Sequence, residues 1–502
     1  MNKYVDMLQE YVDFESVVEL LKFDATNPLL FNTGLFLLLF SGFFAIYQLL
    51  RRWKTAKLIF VILFSLYFYY KSSAEYCLIL LGVCVSDYIL GLLLDRSSGS
   101  FWRRFIVFIN VSVNVGMLVY FKYLNLILDT IANFSAVKFD ALDIVLPAGI
   151  SFFTFRSISY IVDIYRGKML ACRNFLVYTY YLTFFPPLLA GPVVRAKDML
   201  PQVVANKAAS KTMVSEGLVL IMCGLIKKVV VADYISQNFV DRVFDNPALY
   251  SGFENLVGIY GFTIQLYCDF SGYSDMAIGL ALLMGYRFLD NFRSPFKSQS
   301  PTEFWHRWHI SLSSWLRDYV YIPMGGNRCG AIRHHFNLMS TMLIGGLWHG
   351  ASWMYIIWGG LQGLFLVGHK MLKSVLPRLS EKQRKSRWRV AFNVFVTFNL
   401  VAISFMFFRA RSLEAVRDMT TQIYSNFHVD VAPQFIEGYM MIVLAILFGY
   451  IMHFLPSRWN DRLKARFHLL PLLVQAFIVA VVILLIIQVR SSDIVPFIYL
   501  QY

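Results

Sequence analysis

Long apolar runs separated by short polar segments dominate the pattern of hydrophobic and polar positions in this chain. Three of the runs, at 29–50, 388–408 and 470–489, each reach the roughly 20 residues that a helix needs to cross a bilayer core. Similar runs elsewhere raise the predicted number of crossings to about ten to twelve. The pattern therefore predicts an all-α integral membrane protein.

The composition agrees with this class of protein. The 502 residues are 58% hydrophobic and 15% charged, whereas soluble domains carry about a quarter charged residues. We find no internal repeat and no polar insert large enough to build a soluble core, so we expect one membrane domain over 1–502. The six cysteines are scattered without CxxC pairs, which indicates neither a disulfide framework nor a zinc site.

The net charge of +15 is concentrated in basic clusters beside the apolar runs, as in a membrane protein, and we expect no nucleic-acid partner. The clusters are found at 51–57, 195–211, 325–335, 369–389 and 457–466. The positive-inside rule assigns these clusters to the cytoplasm. By the same rule, the amphipathic N-terminal segment 1–28 and the aromatic tail 490–502 are extracytoplasmic.

The segment 144–370 mixes apolar residues with glycine, proline and charges. Charged groups are costly in a membrane unless they face a protein interior or an aqueous cavity, so we expect the catalytic core here. Paired prolines followed by Gly191 and Pro192 argue against a straight helix, and they predict a re-entrant turn within 181–195.

Two aspartates, Asp269 and Asp275, flank Ser271 and Gly272 at the end of an apolar run. This spacing is compatible with a helix break. Two interpretations remain open for the carboxylates. They line a cavity and pair with a nearby arginine, or they cap a helix end at the cytoplasmic interface.

Aromatic and basic residues occupy every face of the segment 300–328. Tryptophans beside Arg307 and Arg317 are typical of a helix that lies at a headgroup interface. These tryptophans are Trp305, Trp308 and Trp315. His306 and His309 are three residues apart, so one helix would present both as a pair for a metal. No carboxylate or cysteine follows at a matching spacing, and we expect no metal site.

One histidine, His349, lies between two apolar stretches in the sequence GGLWHGASW. An ionisable group inside a membrane is interpreted as functional rather than structural. Its glycine neighbours, Gly345, Gly346 and Gly350, permit close approach of another backbone or a ligand. A desolvated imidazole stays neutral near pH 7, and it can then act as a general base toward a hydroxyl or thiol. No GxSxG or HExxH motif is present to suggest a hydrolase or a metalloprotease.

Long ordered motifs fill residues 144–416. They are LPAGISFFTFRSISYIVDIYRG, FFPPLLAGPVVR, YCDFSGYSDMAIGLALLMGYRFLDNFRSPFKSQSPTEFWHRWHISLSSWLRDYVYIPMGGNR, GGLWHGASWMYIIWGGLQG and FMFFRARSLEAV. Together they resemble the membrane-bound O-acyltransferase (MBOAT) family. The resemblance is closer to its bacterial branch, which includes the alginate O-acetylation membrane protein, the peptidoglycan O-acetyltransferase and the teichoic-acid D-alanylation membrane protein.

The resemblance implies the MBOAT fold, in which transmembrane, re-entrant and interfacial helices surround a central funnel. It implies that His349, in the WHG motif, is catalytic at the narrow point of the funnel. The second catalytic histidine, in RWHIS, is then His309, while His306 stands where the alginate-type motif usually has arginine. Residues expected to bind substrate or support the site, largely at a cytoplasmic entrance for the thioester, are Asp269, Arg307, Arg317, Asp318 and Trp348.

The tail sequence PFIYLQY resembles the aromatic C-terminal motif of this branch, close to FIYFQF. The resemblance implies that Tyr499 accepts the acyl group and passes it to a periplasmic partner. Leu500 and Tyr502 replace phenylalanines of that motif. The alternative is an interfacial anchor of aromatic and aliphatic side chains.

We therefore expect an O-acyltransferase of the bacterial plasma (inner) membrane, multi-pass and in contact with membrane lipid, without a bound cofactor. It would move acetyl from acetyl-CoA toward an exported polysaccharide or peptidoglycan, with an SGNH-hydrolase-like acetyltransferase as its periplasmic or membrane-anchored partner. One alternative is D-alanyl transfer from an acyl carrier protein to teichoic acid. Another is a secondary transporter, which predicts two related halves.

Overall fold

The computed structural model describes residues 14–24, 28–135, 139–375, 380 and 386–489. These residues form helices joined by turns, and no β-strand occurs among them, which confirms the predicted all-α class. The tail 490–502, with Tyr499, and the first 13 residues lie outside the described part of the chain.

The N-terminal part of the chain, up to residue 134, forms a series of helices. They are α1 (Phe14–Leu21), α2 (Gly34–Leu49), α3 (Lys54–Ser73), α4 (Cys77–Arg96), α5 (Ser100–Leu118) and α6 (Leu124–Phe134), with short 3-10 helices at Leu50–Arg52 and Ala74–Tyr76 and a π-helical turn at Val119–Tyr123.

The central part contains the helices that surround the candidate site. They are α7 (Ile150–Tyr165), α8 (Phe175–Thr183), α9 (Ala196–Ala205), α10 (Lys211–Leu225), α11 (Asp241–Asp245), α12 (Gly252–Leu283), α13 (Pro301–Arg307), α14 (Ile310–Leu316), α15 (Ala331–His349) and α16 (Trp353–Val375). Shorter turns between them are π-helical at Ile226–Asp233, Ser236–Val240 and Arg317–Tyr321, and 3-10 at Pro247–Leu249 and Pro295–Lys297.

The last part packs against this centre. Its helices are α17 (Arg387–Arg409), α18 (Leu413–Ser425), α19 (Ala432–Gly438), α20 (Met440–Phe454), α21 (Ser457–Leu469) and α22 (Leu472–Val489), with a 3-10 turn at Val429–Val431.

Several stretches of the described residues are long and apolar enough to cross a membrane. They are Gly34–Arg52, Lys54–Arg96, Ser100–Phe134 and Arg387–Arg409, and a fifth is reached if α19 and α20, bent by 96°, count as one span. The longest, of 43 residues, contains α3 and α4, and each of these 20-residue helices is long enough to cross alone. The larger number of about ten to twelve crossings stays a prediction.

The long helix α12 is the centre of the packing. It begins at the capping box of Ser251 and stays helical through Asp269 and Asp275, so the helix break that their spacing allowed is not observed. Gly272 serves close packing instead. A Cβ atom on Gly224 of α10 would lie 2.5 Å from the Gly272 carbonyl oxygen, so the two helix backbones touch where both residues lack side chains.

The predicted interruption after α8 is confirmed. The helix ends at Thr183, the next helix begins at Ala196, and all residues from 184 to 195 are buried without helical structure. This loop packs against the start of α7, where Gly149 has φ of 71° and a Cβ atom would lie 2.6 Å from the Leu188 carbonyl oxygen. The irregular backbone of this loop is shielded by protein.

Candidate active site

The hairpin of α15 and α16 presents His349 to the interior. A Cβ atom on Gly346 would lie 2.3 Å from the Tyr355 carbonyl oxygen and 3.0 Å from Gly359 Cα, so the two helices are in backbone contact. At Gly350 a Cβ atom would lie 2.2 Å from the Tyr355 ring. The close backbone approach predicted for the glycines is observed at Gly346, whereas Gly345 and Gly350 face the side chains of Leu316 and Tyr355. His349 is the last residue of α15.

Aromatic rings enclose the His349 imidazole, which is 4% exposed. Its ring centroid lies 5.0 Å from those of Trp348 and Trp358 and 5.2 Å from that of Phe408, each in an edge-on arrangement. Such a cage keeps water from the imidazole and supplies an apolar surface on several sides. It is suited to an imidazole that acts in its neutral form.

The second histidine, His309, lies between α13 and α14 and is fully buried. Its ring centroid is 4.6 Å from that of Phe270 and 5.8 Å from that of Trp348. Trp348 therefore contacts both imidazoles, and the structure brings His309, Trp348 and His349 into one cluster. This cluster joins motifs that are 40 residues apart in the chain.

The geometry assumed for a histidine metal pair is wrong. Helix α13 ends at Arg307, and His309 adopts a left-handed backbone with φ of 44° beyond it, so His306 and His309 do not share a helix face. In the described part of the chain, no group of three or more histidine, cysteine, aspartate or glutamate side chains is arranged to hold a metal ion.

Lys122 is a neighbour of the site that the sequence reasoning missed. From the π-helical turn, its Nζ donates to the carbonyl oxygens of Trp348, at 2.7 Å, and His349, at 3.2 Å. The hydroxyl of Tyr123 donates to the Leu347 carbonyl oxygen at 2.8 Å. These donors satisfy carbonyls that the end of α15 leaves without intrahelical partners. The signal that could have identified it is a lone lysine within the apolar run 100–134.

Asp318 and Arg317 lie together in a polar cluster at the C-terminal end of α7. The Asp318 carboxylate accepts hydrogen bonds from Arg195 at 2.6 Å and from Arg317 at 2.8 Å. The guanidinium groups of Arg166 and Arg195 lie over the Tyr319 ring. Burial acts against an ionised Asp318, but the hydrogen bonds and charges of its two arginine partners outweigh it and lower its pKa.

The other predicted polar residues lie apart from this cluster. Arg307 pairs with Glu303 within α13, at 2.7 Å. Asp269 forms an ion pair with Lys228 at 2.6 Å, and Lys228 also pairs with Asp233 at 2.7 Å. The predicted arginine partner of Asp269 is therefore wrong, and so is the alternative of a helix-end cap, because Asp269 lies inside α12. Two adjacent lysines in an apolar segment, the second being Lys228, were the signal for this ion pair.

The interfacial interpretation of the tryptophans also needs correction. Trp308 is 1% exposed and Trp315 is 5% exposed, so both belong to the core. The Trp315 ring stacks on Phe155 with centroids 3.7 Å apart, and its indole N–H donates to the Phe155 carbonyl oxygen. Indoles that find both an apolar face and a hydrogen-bond acceptor inside the protein have no need of the headgroup region.

The structure combines helices long enough to span a bilayer with two buried histidines. Comparison with known proteins gives its class. Residues 172–410 match the model of the MBOAT, membrane-bound O-acyltransferase family. The chain is 39% identical over 408 residues to a probable alginate O-acetylase of Pseudomonas putida, covering 79% of this chain and 80% of that protein.

Two further relatives have related names. The peptidoglycan O-acetyltransferase of Helicobacter pylori is 34% identical over 422 residues, with 77% of this chain and 78% of that protein covered. The teichoic acid D-alanyltransferase of Streptococcus thermophilus is 30% identical over 284 residues, with 52% and 67% covered. The chain belongs to the membrane-bound O-acyltransferase family, and it is a membrane-bound O-acyltransferase.

Proposed function

We propose that this enzyme moves an acetyl group from cytoplasmic acetyl-CoA across a bacterial inner membrane, for O-acetylation of an exported polysaccharide or peptidoglycan. The observation that carries the proposal is the cluster in which Trp348 contacts both His309 and His349. The greater extent and identity of the match to the probable alginate O-acetylase favour acetyl over D-alanyl as the cargo. Family membership speaks against a transporter.

Two helices support a position of His349 toward the extracytoplasmic side of a multi-pass protein. α15 starts within the basic cluster 325–335, and its 19 residues extend about 28 Å before they reach His349. α17 starts in the basic cluster 369–389, and its penultimate residue, Phe408, packs against His349. If the basic clusters are cytoplasmic, the acyl group meets His349 after crossing most of the bilayer.

His349 is the general base of the proposed reaction. It takes the proton of the acceptor hydroxyl as the oxygen attacks the thioester carbonyl carbon. The new ester C–O bond forms, the C–S bond breaks, and the proton passes from His349 to the thiolate, which leaves as a free thiol. His309 and Trp348, which lie beside His349, help to hold the reacting groups in position.

The cluster of Arg317 and Asp318 is the proposed cytoplasmic entrance for the thioester. Exposed guanidinium groups attract the phosphates of a coenzyme A donor or of an acyl carrier protein. Arg307, which pairs with Glu303 apart from this cluster, is proposed as a further donor-binding residue. Asp269, paired with Lys228, supports the site from within the core rather than at the entrance.

Tyr499 is the proposed acyl acceptor before the final polymer. Its phenol would receive the acyl group from the donor, and an SGNH-hydrolase-like acetyltransferase on the periplasmic side would remove it. The extracytoplasmic direction of the tail rests on the charge pattern alone.

The test uses the purified protein in sealed liposomes. Acetyl-CoA with a radiolabelled acetyl group is added outside, and an alginate-type oligosaccharide is trapped inside. We expect the label to appear on the protein or on the trapped oligosaccharide. Label that remains on the donor contradicts the proposal, and transfer that requires an acyl carrier protein instead of coenzyme A supports the D-alanyl alternative.

A further inference from the structure

Asn291 connects several motifs at the base of His309. Its side chain is 1% exposed, and its Oδ1 atom accepts hydrogen bonds from the backbone N–H of Ser311 at 3.2 Å and from the Ser311 hydroxyl at 2.9 Å. Its Nδ2 atom donates to the hydroxyl of Ser274 at 3.1 Å. A backbone N–H can only donate, so the Asn291 atom that faces Ser311 is the carbonyl oxygen.

The same Oδ1 atom lies 3.2 Å from Nδ1 of His309. A carbonyl oxygen can only accept, so Nδ1 must carry a hydrogen atom. Burial in apolar surroundings disfavours a charged imidazole, and a neutral imidazole has one N–H. Nε2 of His309 therefore carries a lone pair, and no described residue forms a hydrogen bond with it.

The backbone around His309 holds this arrangement in place. The residue adopts φ of 44°, which side chains other than glycine rarely do. Two backbone hydrogen bonds of 2.9 Å flank it, from Ile310 N–H to the Asn291 carbonyl and from Arg293 N–H to the Arg307 carbonyl. The imidazole is thus fixed in position and rotation, with the Trp348 ring as a neighbour.

We propose that Asn291 is a positioning residue that holds His309 in the Nδ1–H tautomer, so that Nε2 accepts a hydrogen bond from an O–H or N–H group of the bound substrate. His309 then cannot donate through Nε2 to the carbonyl oxygen of the thioester. The orienting amide and imidazole follow the logic of other catalytic sites, in which a third group selects the tautomer of a histidine. The substrate contact rests on the proposed function, whereas the tautomer does not.

NMR of the full-length protein in detergent, with ¹⁵N-labelled histidine, reports the tautomer directly. The chain has nine histidines, and the His309 signals are assigned by their loss in His309→Gln. We expect Nδ1 of His309 to be protonated and Nε2 to be unprotonated. A hydrogen on Nε2, or on both nitrogens, overturns the proposal without any variant of Asn291.

The variant Asn291→Leu removes the amide at similar volume. Asn255→Leu is its matched control, because Asn255 is equally buried and its amide donates to backbone carbonyls of residues 247, 250 and 251. We expect Asn291→Leu to admit the Nε2–H tautomer and to slow single-turnover transfer about 100-fold. Asn255→Leu should leave the His309 spectrum unchanged. An unchanged His309 spectrum in Asn291→Leu contradicts the positioning role.

The two proposals fail in different ways. If acyl transfer does not occur at this site, the rate measurement loses its meaning but the spectrum still shows the Nδ1–H tautomer. If the tautomer assignment is wrong, the spectrum shows a hydrogen on Nε2 of His309, while acyl transfer still requires His349.

Discussion

The substitution Gly346→Ala tests the backbone contact that presents His349. The added Cβ atom would lie 2.3 Å from the Tyr355 carbonyl oxygen and 3.0 Å from Gly359 Cα, so main-chain atoms have to move. Overpacking of this kind costs about 1–3 kcal/mol, while the higher helix propensity of alanine returns about 1 kcal/mol. Because backbone cannot shift as easily as a side chain, we expect net destabilisation of about 2 kcal/mol.

The matched control is Gly368→Ala on the same hairpin, since nothing lies within 4 Å of the position of its Cβ atom. That variant should be stabilised by up to about 1 kcal/mol through helix propensity alone. Thermal unfolding in detergent shows whether each variant is stabilised or destabilised. Initial rates of acyl transfer, compared at matched folded fraction, show whether His349 has moved. Equal stability of Gly346→Ala and Gly368→Ala would refute the backbone contact.

Four further changes are expected to have separable effects. Lys122→Met removes the donors to the last carbonyls of α15, and single-turnover transfer should fall up to about 100-fold while the helix content in circular dichroism is retained. Lys228→Met removes the cation shared by two buried carboxylates, and chemical denaturation should show a loss of about 3–5 kcal/mol, against less than about 1 kcal/mol for Lys22→Met, whose partner Glu19 is exposed like Lys22 itself. The lowered pKa of Asp318 stabilises the protein fully above the unfolded-state value of about 3.9 and is lost as pH falls through the folded-state value, so Asp318→Asn should flatten the pH dependence of stability in that window. Mass spectrometry of the C-terminal peptide should find acetyl on Tyr499 after incubation with donor, and an unmodified tyrosine while the polymer is acetylated would leave the tail as an anchor.

The parts of the site that sequence could predict are those in which one residue is anomalous in its own surroundings. His349 is an imidazole in an apolar run, and its glycine neighbours indicate close backbone contact. Paired prolines predict the interruption of helical structure after α8. In each case the physical cost of the residue is visible locally, without knowledge of its partner.

Partners across the fold could not be predicted in this way. One of two interpretations paired Asp269 with an arginine, but its cation is Lys228, 41 residues earlier and in a π-helical turn that packs against α12. Trp308 has the composition of an interfacial residue, yet it is buried by tertiary packing that no local pattern encodes. Asn291 has no local mark at all, because its role depends on three segments that meet in space.

The most direct test of the proposed chemistry is single-turnover acyl transfer by His349→Gln, compared with His453→Gln. The control imidazole is equally buried, at 3% exposed, and accepts the Phe296 N–H outside the site. At matched folded fraction we expect the rate to fall about 100- to 10,000-fold in His349→Gln and to stay near the native value in His453→Gln. A native rate in folded His349→Gln would contradict the assignment of His349 as the general base.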